Sequence, residues 1–237
     1  MTRPLVVAAH GTASPEGQRV VVDCAARAGA VLGLDGPPPV GYVDVCGPTL
    51  PEVLAGLTDP VVVPFFLASG FHVRHDVPSA VAVLPGATVT PALGTEDEVL
   101  GALVDRVLAA RRGQGPGPGP GPGAVLVLGA GSSVDAARAE VGQVARLVGE
   151  RLGAPTGTAF LSGPGPRPEE ELERLRSCGV DPSDVVVAAH LLSPGHFLDR
   201  AHRVAATVGA VATQPLGTHD ALSDLVARRY REAVAAR

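Results

Sequence analysis

The chain repeats itself, and that limits its fold more than any other feature. PLVVAAHGTAS, from Pro4, corresponds to AVLVLGAGSSV, from Ala124, which sets Gly11 against Gly131 and His10 against Ala130. VVVPFFLASGFH (61–72) corresponds without a gap to VVVAAHLLSPGH (185–196), setting His72 against His196. TPALGTEDEVLGALVDR corresponds to TQPLGTHDALSDLVARR, setting Gly94 against Gly217. Three matches in one order argue for a duplicated unit, so whatever fold the first half adopts, the second must adopt too. Between the halves runs GQGPGPGPGPG, in which proline alternates with glycine; such a segment forms an extended, semi-rigid spacer with no core of its own. The expected organisation is a first lobe over residues 1–112, a linker over 113–123 and a second lobe over 124–237.

Each unit reads as strand and helix in alternation. In the first half the expected strands are Leu5–Ala9, Val40–Cys46, Val61–Leu67 and Ala87–Pro91. Helical patterns lie between them near 15–32, 49–56 and 77–84, and a closing helix near 96–111. Val20, Cys24, Ala28 and Val31 share one helical face. VVVPFFL has no polar alternation, the mark of a strand buried on both faces of a parallel sheet. The fold class expected is therefore α/β: two similar lobes, each a parallel four-stranded sheet flanked by helices, facing each other across a cleft.

Composition removes several function classes. Apolar residues make up 46% of the 237 residues but aromatics only 3%, so the core must be built from valine, alanine and leucine. All 19 basic residues are arginine, and 24 acidic residues leave a net charge of −5 with no basic stripe, which speaks against nucleic acid as a partner. The longest apolar runs are strand-sized, so no membrane span is expected. The apolar run between Pro4 and His10 is too short for the core of a signal peptide. Cys24, Cys46 and Cys178 are odd in number and lack a CxxC spacing, as in a reduced, cytoplasmic protein.

In an open parallel sheet, ligands bind beyond the carboxyl ends of the strands. Three such ends in the first half carry chemistry. The first strand ends at His10 in AAHGT, where Gly11 permits a tight turn; the second carries Asp44 in GYVDVCGPTLPE; the third leads to His72 in SGFHVRHD. Two imidazoles and a carboxylate suit a divalent first-row metal. The spacing is no short metal motif, and each residue also has a structural reading: a strand-end histidine bonded to backbone, a turn-capping aspartate, an exposed loop histidine.

AHGT, YVDVCGPTL and FLASGFHVRHDVP together resemble the sirohydrochlorin chelatase family, whose members insert Fe²⁺ or Co²⁺ into a metal-free tetrapyrrole without ATP. The resemblance spans the chain, because two-lobed members continue through an LLSPGHFLDR-like segment and an LGTH-like turn. It implies His10, Asp44 and His72 as metal ligands, with His10 also as general base and His72 as the group that delivers the metal. Asp44 stands where the family usually has glutamate, which shortens its reach and leaves open whether it ligates directly or orients a histidine. The G-x-H-x-x-x-D pattern falls on Gly70, His72 and Asp76, and His75 replaces a commonly acidic residue. The resemblance further implies the metal as substrate (Fe²⁺ or Co²⁺, with Ni²⁺ a third candidate), sirohydrochlorin as partner, no ATP or organic cofactor, and a monomer, since the duplication supplies both lobes.

In the second half His196 lacks its strand-one partner, so that half is expected to be a degenerate copy that grips the macrocycle. Ser132 and Ser133 at a helix start would hold a substrate carboxylate or cap the helix, and Arg74 would pair with a carboxylate or remain solvated. His190, His202 and His219 are expected to be structural or solvent-facing. Two other functions are alternatives: a metal-binding chaperone, which would share the metal site but carry its ion without inserting it, and a two-lobed ligand-binding protein, which would have no need for His10 and His72 at strand ends. A nucleotide enzyme does not fit, because GAGSS matches neither GxGxxG nor GxxxxGK[ST].

Overall fold

A computed structural model describes residues 3–112, 121–217 and 219–236. The strands and helices alternate as β1 (Leu5–Ala9), α1 (Pro15–Leu32), β2 (Val40–Tyr42), α2 (Leu50–Leu54), β3 (Val61–Pro64), α3 (Phe71–Arg74), α4 (Asp76–Val81), β4 (Thr88–Val89) and α5 (Asp97–Arg112). The second series is β5 (Ala124–Gly129), α6 (Asp135–Leu152), β6 (Thr156–Phe160), α7 (Pro168–Ser177), β7 (Val185–His190), α8 (His196–Thr207), β8 (Val211–Ala212) and α9 (Asp220–Ala235). They form two four-stranded parallel sheets, ordered β2-β1-β3-β4 and β6-β5-β7-β8. Most of the expected linker, residues 113–120, lies outside the described residues. Its end is fixed: Pro122 is buried and Gly123 N–H donates to Asp184 O at 2.9 Å.

Local chemistry sets the helix bounds. Ser14 caps α1 by accepting from Gly17 N–H, Pro15 fits the first turn, and Gly33 in the left-handed region (φ 68°) ends the helix. α1 buries Val20, Val21, Cys24, Ala25 and Ala28. Strand residues alternate between faces. In the first sheet Val6, Ala8 and Val62 pack under Leu50 and Leu54 of α2 and Val77 and Val81 of α4. In the second sheet Leu126, Leu128, Val187 and Ala189 pack under α7 and α8.

The opposite faces hold a difference from the sequence reading. The chain forms two compact units, one of residues 1–94 and 217–237, the other of residues 95–216. The boundaries fall at the equivalent turns Gly94 and Gly217, so the halves of the sequence exchange their closing helices. α5, expected in the first lobe, packs against β7, β8 and α6; α9, expected in the second, packs against α1 and β3. Specific bonds fix the exchange. Tyr230 of α9 donates its hydroxyl to Arg3 O at 2.6 Å, and Arg231 donates to Val31 O at 2.9 Å. On the other unit Arg111 of α5 pairs with Asp184 at 3.2 Å. The apolar stripes of the two helices are similar, and a stripe specifies burial without specifying which copy of a duplicated sheet receives it.

The strands also correct one pairing between the repeats. Leu5 pairs with Val61 and Val125 with Val186, so Val61 corresponds to Val186. Leu93 N–H donates to Phe66 O as Leu216 N–H does to Leu191 O, and Arg74 N–H to Gly70 O as Asp199 N–H to Gly195 O. The helix-starting glycines Gly70 and Gly195 therefore correspond. His196 stands in the place of Phe71, and Phe197 in the place of His72; the gapless sequence match was one residue out of register.

Candidate metal centre

His10 is the first residue beyond β1 and is held by the turn that follows. Gly11 has φ 102°, and a Cβ there would lie 2.0 Å from Asp44 O, so only glycine lets the strand-two loop close over the end of β1. The loop is pinned by Val43 N–H to Ala9 O at 3.0 Å and Asp44 N–H to His10 O at 2.9 Å. Asp44 thereby comes beside His10. β2 ends two residues before Asp44, sooner than expected, because Val45 takes a left-handed backbone (φ 65°) that turns the chain away. Val45 N–H donates to Asp44 Oδ1 at 2.7 Å, fixing that carboxylate.

His72 arrives on the short helix α3 after Gly70. Its Nδ1 lies 2.5 Å from Asp76 Oδ2, one helical turn on. A carboxylate there fixes Nδ1 as the protonated nitrogen and leaves Nε2 with its lone pair. His10 Nδ1 lies 3.1 Å from Gly11 O, a contact that favours the same tautomer. The two rings meet edge to face with centroids 4.5 Å apart.

One ligand atom each of His10, Asp44 and His72 lie within 4.8 Å of one another, the single such group among the described residues. Donors around one ion with bonds of about 2.1 Å lie roughly 3–4 Å apart, so a small closing movement would complete the set. His10 and Asp44 are exposed and His72 half-buried. Three such ligands leave coordination positions open, and mixed imidazole and carboxylate suits Fe²⁺, Co²⁺, Ni²⁺ or Zn²⁺. Asp76 Oδ2 and Gly11 O, rather than Asp44, lie against the Nδ1 atoms of the two histidines. Asp76 was visible in the sequence within G-x-H-x-x-x-D, and its separation of four residues from His72 was the signal for its task.

The other candidates fall elsewhere. His75 lies against Phe71, with centroids 4.5 Å apart. Arg74 Nε donates to Ser69 O at 2.7 Å from an exposed position. His219 caps α9 by accepting from Ala221 N–H at 3.3 Å. His190 is buried, its Nε2 has no hydrogen-bond partner among the described residues, and desolvation pushes its pKa down to about 4. Ser132 Oγ accepts from Val134 N–H at 3.1 Å, the local turn-capping alternative. At the places of His10, Asp44, His72 and Asp76 the second unit has Ala130, Ser162, Phe197 and Ala201; the match extends to Gly131, where an added Cβ would meet Ser162 O at 2.0 Å. That unit has lost both imidazoles and both carboxylates at these positions.

The sequence model of the CbiX family matches two segments of the chain, residues 4–110 and 124–233. Two curated archaeal proteins named sirohydrochlorin cobaltochelatase are similar. That of Methanothermobacter thermautotrophicus is 31% identical over 90 residues, covering 35% of this chain and 60% of the relative; that of Methanopyrus kandleri is 33% identical over 86 residues, covering 34% and 59%. The chain thus matches about three fifths of the length of these relatives. Among solved structures, SirB from Bacillus subtilis with Fe³⁺ superposes with a TM-score of 0.77 at 21% identity, over 99% of this chain and 96% of that one. A structure described as CbiX, the terminal enzyme for biosynthesis of siroheme in denitrifying bacteria, gives 0.71 at 18% identity, over 98% and 99%. At these identities the likeness establishes the two-lobed α/β fold.

Proposed function

The chain belongs to the CbiX family, and from that premise we propose that it inserts a divalent metal, Fe²⁺ or Co²⁺, into sirohydrochlorin at His10, Asp44 and His72. The metal is a substrate, the tetrapyrrole is the partner, and the reaction needs neither ATP nor an organic cofactor. The observation that most supports the reading is the convergence of two imidazoles and a carboxylate, with Asp76 bonded behind His72, on the open edge of the first sheet. The names of the similar archaeal chelatases point to the same substrate. The second unit, without a counterpart to any of these side chains, carries no metal site there. One chain thus contains both repeats and acts as a monomer.

Insertion exchanges the metal's water and protein ligands for four ring nitrogens and releases both pyrrolic protons. His10 and His72 present Nε2 lone pairs, replacing metal-bound water, while the Asp44 carboxylate offsets part of the ion's charge. As the ion passes to the ring, each released imidazole is free to accept a proton, and exposed His10 is the proposed base. Asp76 stabilises the imidazolium that forms at His72 through the Nδ1 bond. The test is anaerobic absorbance of sirohydrochlorin with the protein and each of Fe²⁺, Co²⁺ and Ni²⁺. A spectral change faster than the uncatalysed control supports insertion. Metal binding with no acceleration for any ion would leave the chain a metal carrier and overturn the proposal.

No described helix is long and apolar enough to cross a membrane. The free thiols Cys24, Cys46 and Cys178 support the reading of a reducing, cytoplasmic setting.

A further inference from the structure

Two exposed apolar side chains flank the triad. Val45 directly follows Asp44 and is 56% exposed; Phe71 directly precedes His72 and is 50% exposed. Val45 also has φ 65°, a region that glycine and asparagine enter freely and a β-branched residue does not. Packing inside the protein offsets little of that strain, because most of the side chain faces water. The turn itself needs only the backbone, since the N–H that holds Asp44 Oδ1 would be present in any residue but proline. The side chain of Val45 therefore has no evident task within the folded chain.

Phe71 is exposed yet positioned. Its ring leans against His75, with centroids 4.5 Å apart and planes 31° from parallel, and meets His72 edge-on at 5.9 Å. With His10 against His72, four rings run in series from the triad outward. An aromatic ring fixed by neighbours and open on another side offers apolar area at little entropic cost.

We propose that Val45 and Phe71 are the apolar contacts on which the face of the tetrapyrrole ring rests while the metal passes from the triad to the ring nitrogens. This rests on the proposed function, because it requires a macrocycle at the triad. An ion bound to His10, Asp44 and His72 reaches ring nitrogens only if the ring plane closes over those ligands. A macrocycle much wider than the triad then covers the residues next to two of the ligands in sequence. Its face is apolar, and it would cover the area of Val45 and Phe71 that the described residues leave exposed. The left-handed backbone at Val45 is a local strain kept at a working site because it aims the side chain outward.

The experiment compares Val45→Gly, Val45→Asn, Val45→Leu and Phe71→Ala with the wild-type chain. Sirohydrochlorin affinity is measured by fluorescence titration without metal, Co²⁺ affinity by absorbance without tetrapyrrole, and fold stability by thermal melting. Val45→Gly and Val45→Asn should melt at or above the wild-type temperature, keep Co²⁺ affinity and lose about tenfold in tetrapyrrole affinity, the scale for a lost apolar contact. Val45→Leu should retain that affinity, and Phe71→Ala should lose it without losing Co²⁺. Unchanged tetrapyrrole affinity in Val45→Gly and Phe71→Ala would overturn the inference. So would an equal loss of Co²⁺ affinity, which would make both residues props of the ligands. Insertion by the wild-type chain is scored separately: its absence would overturn the proposed function, while the affinity comparison would still decide the ring contacts.

Discussion

His190 makes the stability of this protein depend on acid in a calculable way. It ends β7, is 4% exposed, and its Nε2 is buried without a hydrogen-bond partner among the described residues. Burial penalises the imidazolium, so its pKa falls from 6.5 to about 4 in the folded chain. The unfolded chain then binds this proton below pH 6.5 and the folded one does not. Stability is therefore full above pH 6.5 and declines as pH falls toward 4. At about 1.4 kcal/mol per pKa unit, the penalty is about 1 kcal/mol at pH 5.5 and about 3 kcal/mol at pH 4. The first unit suggests the replacement: by strand register His190 corresponds to Phe65, which is 1% exposed in an otherwise equivalent position. His190→Phe, with His190→Leu as a smaller control, removes both the titration and the unpaired nitrogen. Urea unfolding of wild type and variant at pH 7.5, 6.5, 5.5 and 4.5 should show the variant's advantage growing as pH falls, while contributions from other groups cancel in the difference. A difference that stays flat from pH 7.5 to 4.5 would refute the reasoning, because His190 would then titrate alike folded and unfolded.

The metal-site substitutions should separate the two units. His10→Ala and His72→Ala should each lower insertion by about 10²–10⁴-fold with the fold intact by circular dichroism, whereas His196→Ala, at the place of Phe71, should change it little. Asp44→Ala should resemble the loss of a ligand and weaken Co²⁺ binding, as read by titration. Asp76→Asn should reduce Co²⁺ affinity by roughly 10–100-fold through the orientation and basicity of His72, and retained wild-type affinity would show that the Asp76 contact does not serve the metal. A fragment of residues 1–112, a whole repeat by sequence, lacks α9 and should fail to unfold cooperatively by circular dichroism. Cooperative unfolding of that fragment would mean α5 can replace α9 on the first sheet.

Much of the fold is legible in the sequence. Unbroken runs such as VVVPFF declared strands buried on both faces, and their alternation with helical patterns set two parallel sheets, because hydrophobic period and strand burial are properties of local sequence. The same logic placed His10, Asp44 and His72 together, since strand ends in a parallel sheet share one edge. What stayed hidden depended on three-dimensional partners. Periodicity marks the buried faces of α5 and α9 but cannot say which of two equivalent sheets each covers; bonds such as Tyr230 to Arg3 O decide it. A gapless match placed His196 opposite His72 because the alignment rewards identical letters, whereas backbone hydrogen bonds aligned Gly70 with Gly195 and put Phe197 there. The left-handed turn at Val45 left no glycine or asparagine in the sequence to announce it. It accompanies the closure of the strand-two loop over Gly11, where Asp44 O lies 2.0 Å from the place a Cβ would take. Local sequence therefore determined the sheets and the strand ends at which His10, Asp44 and His72 meet, and only tertiary packing decided which helix closes each sheet and how the loop between Asp44 and Cys46 must bend.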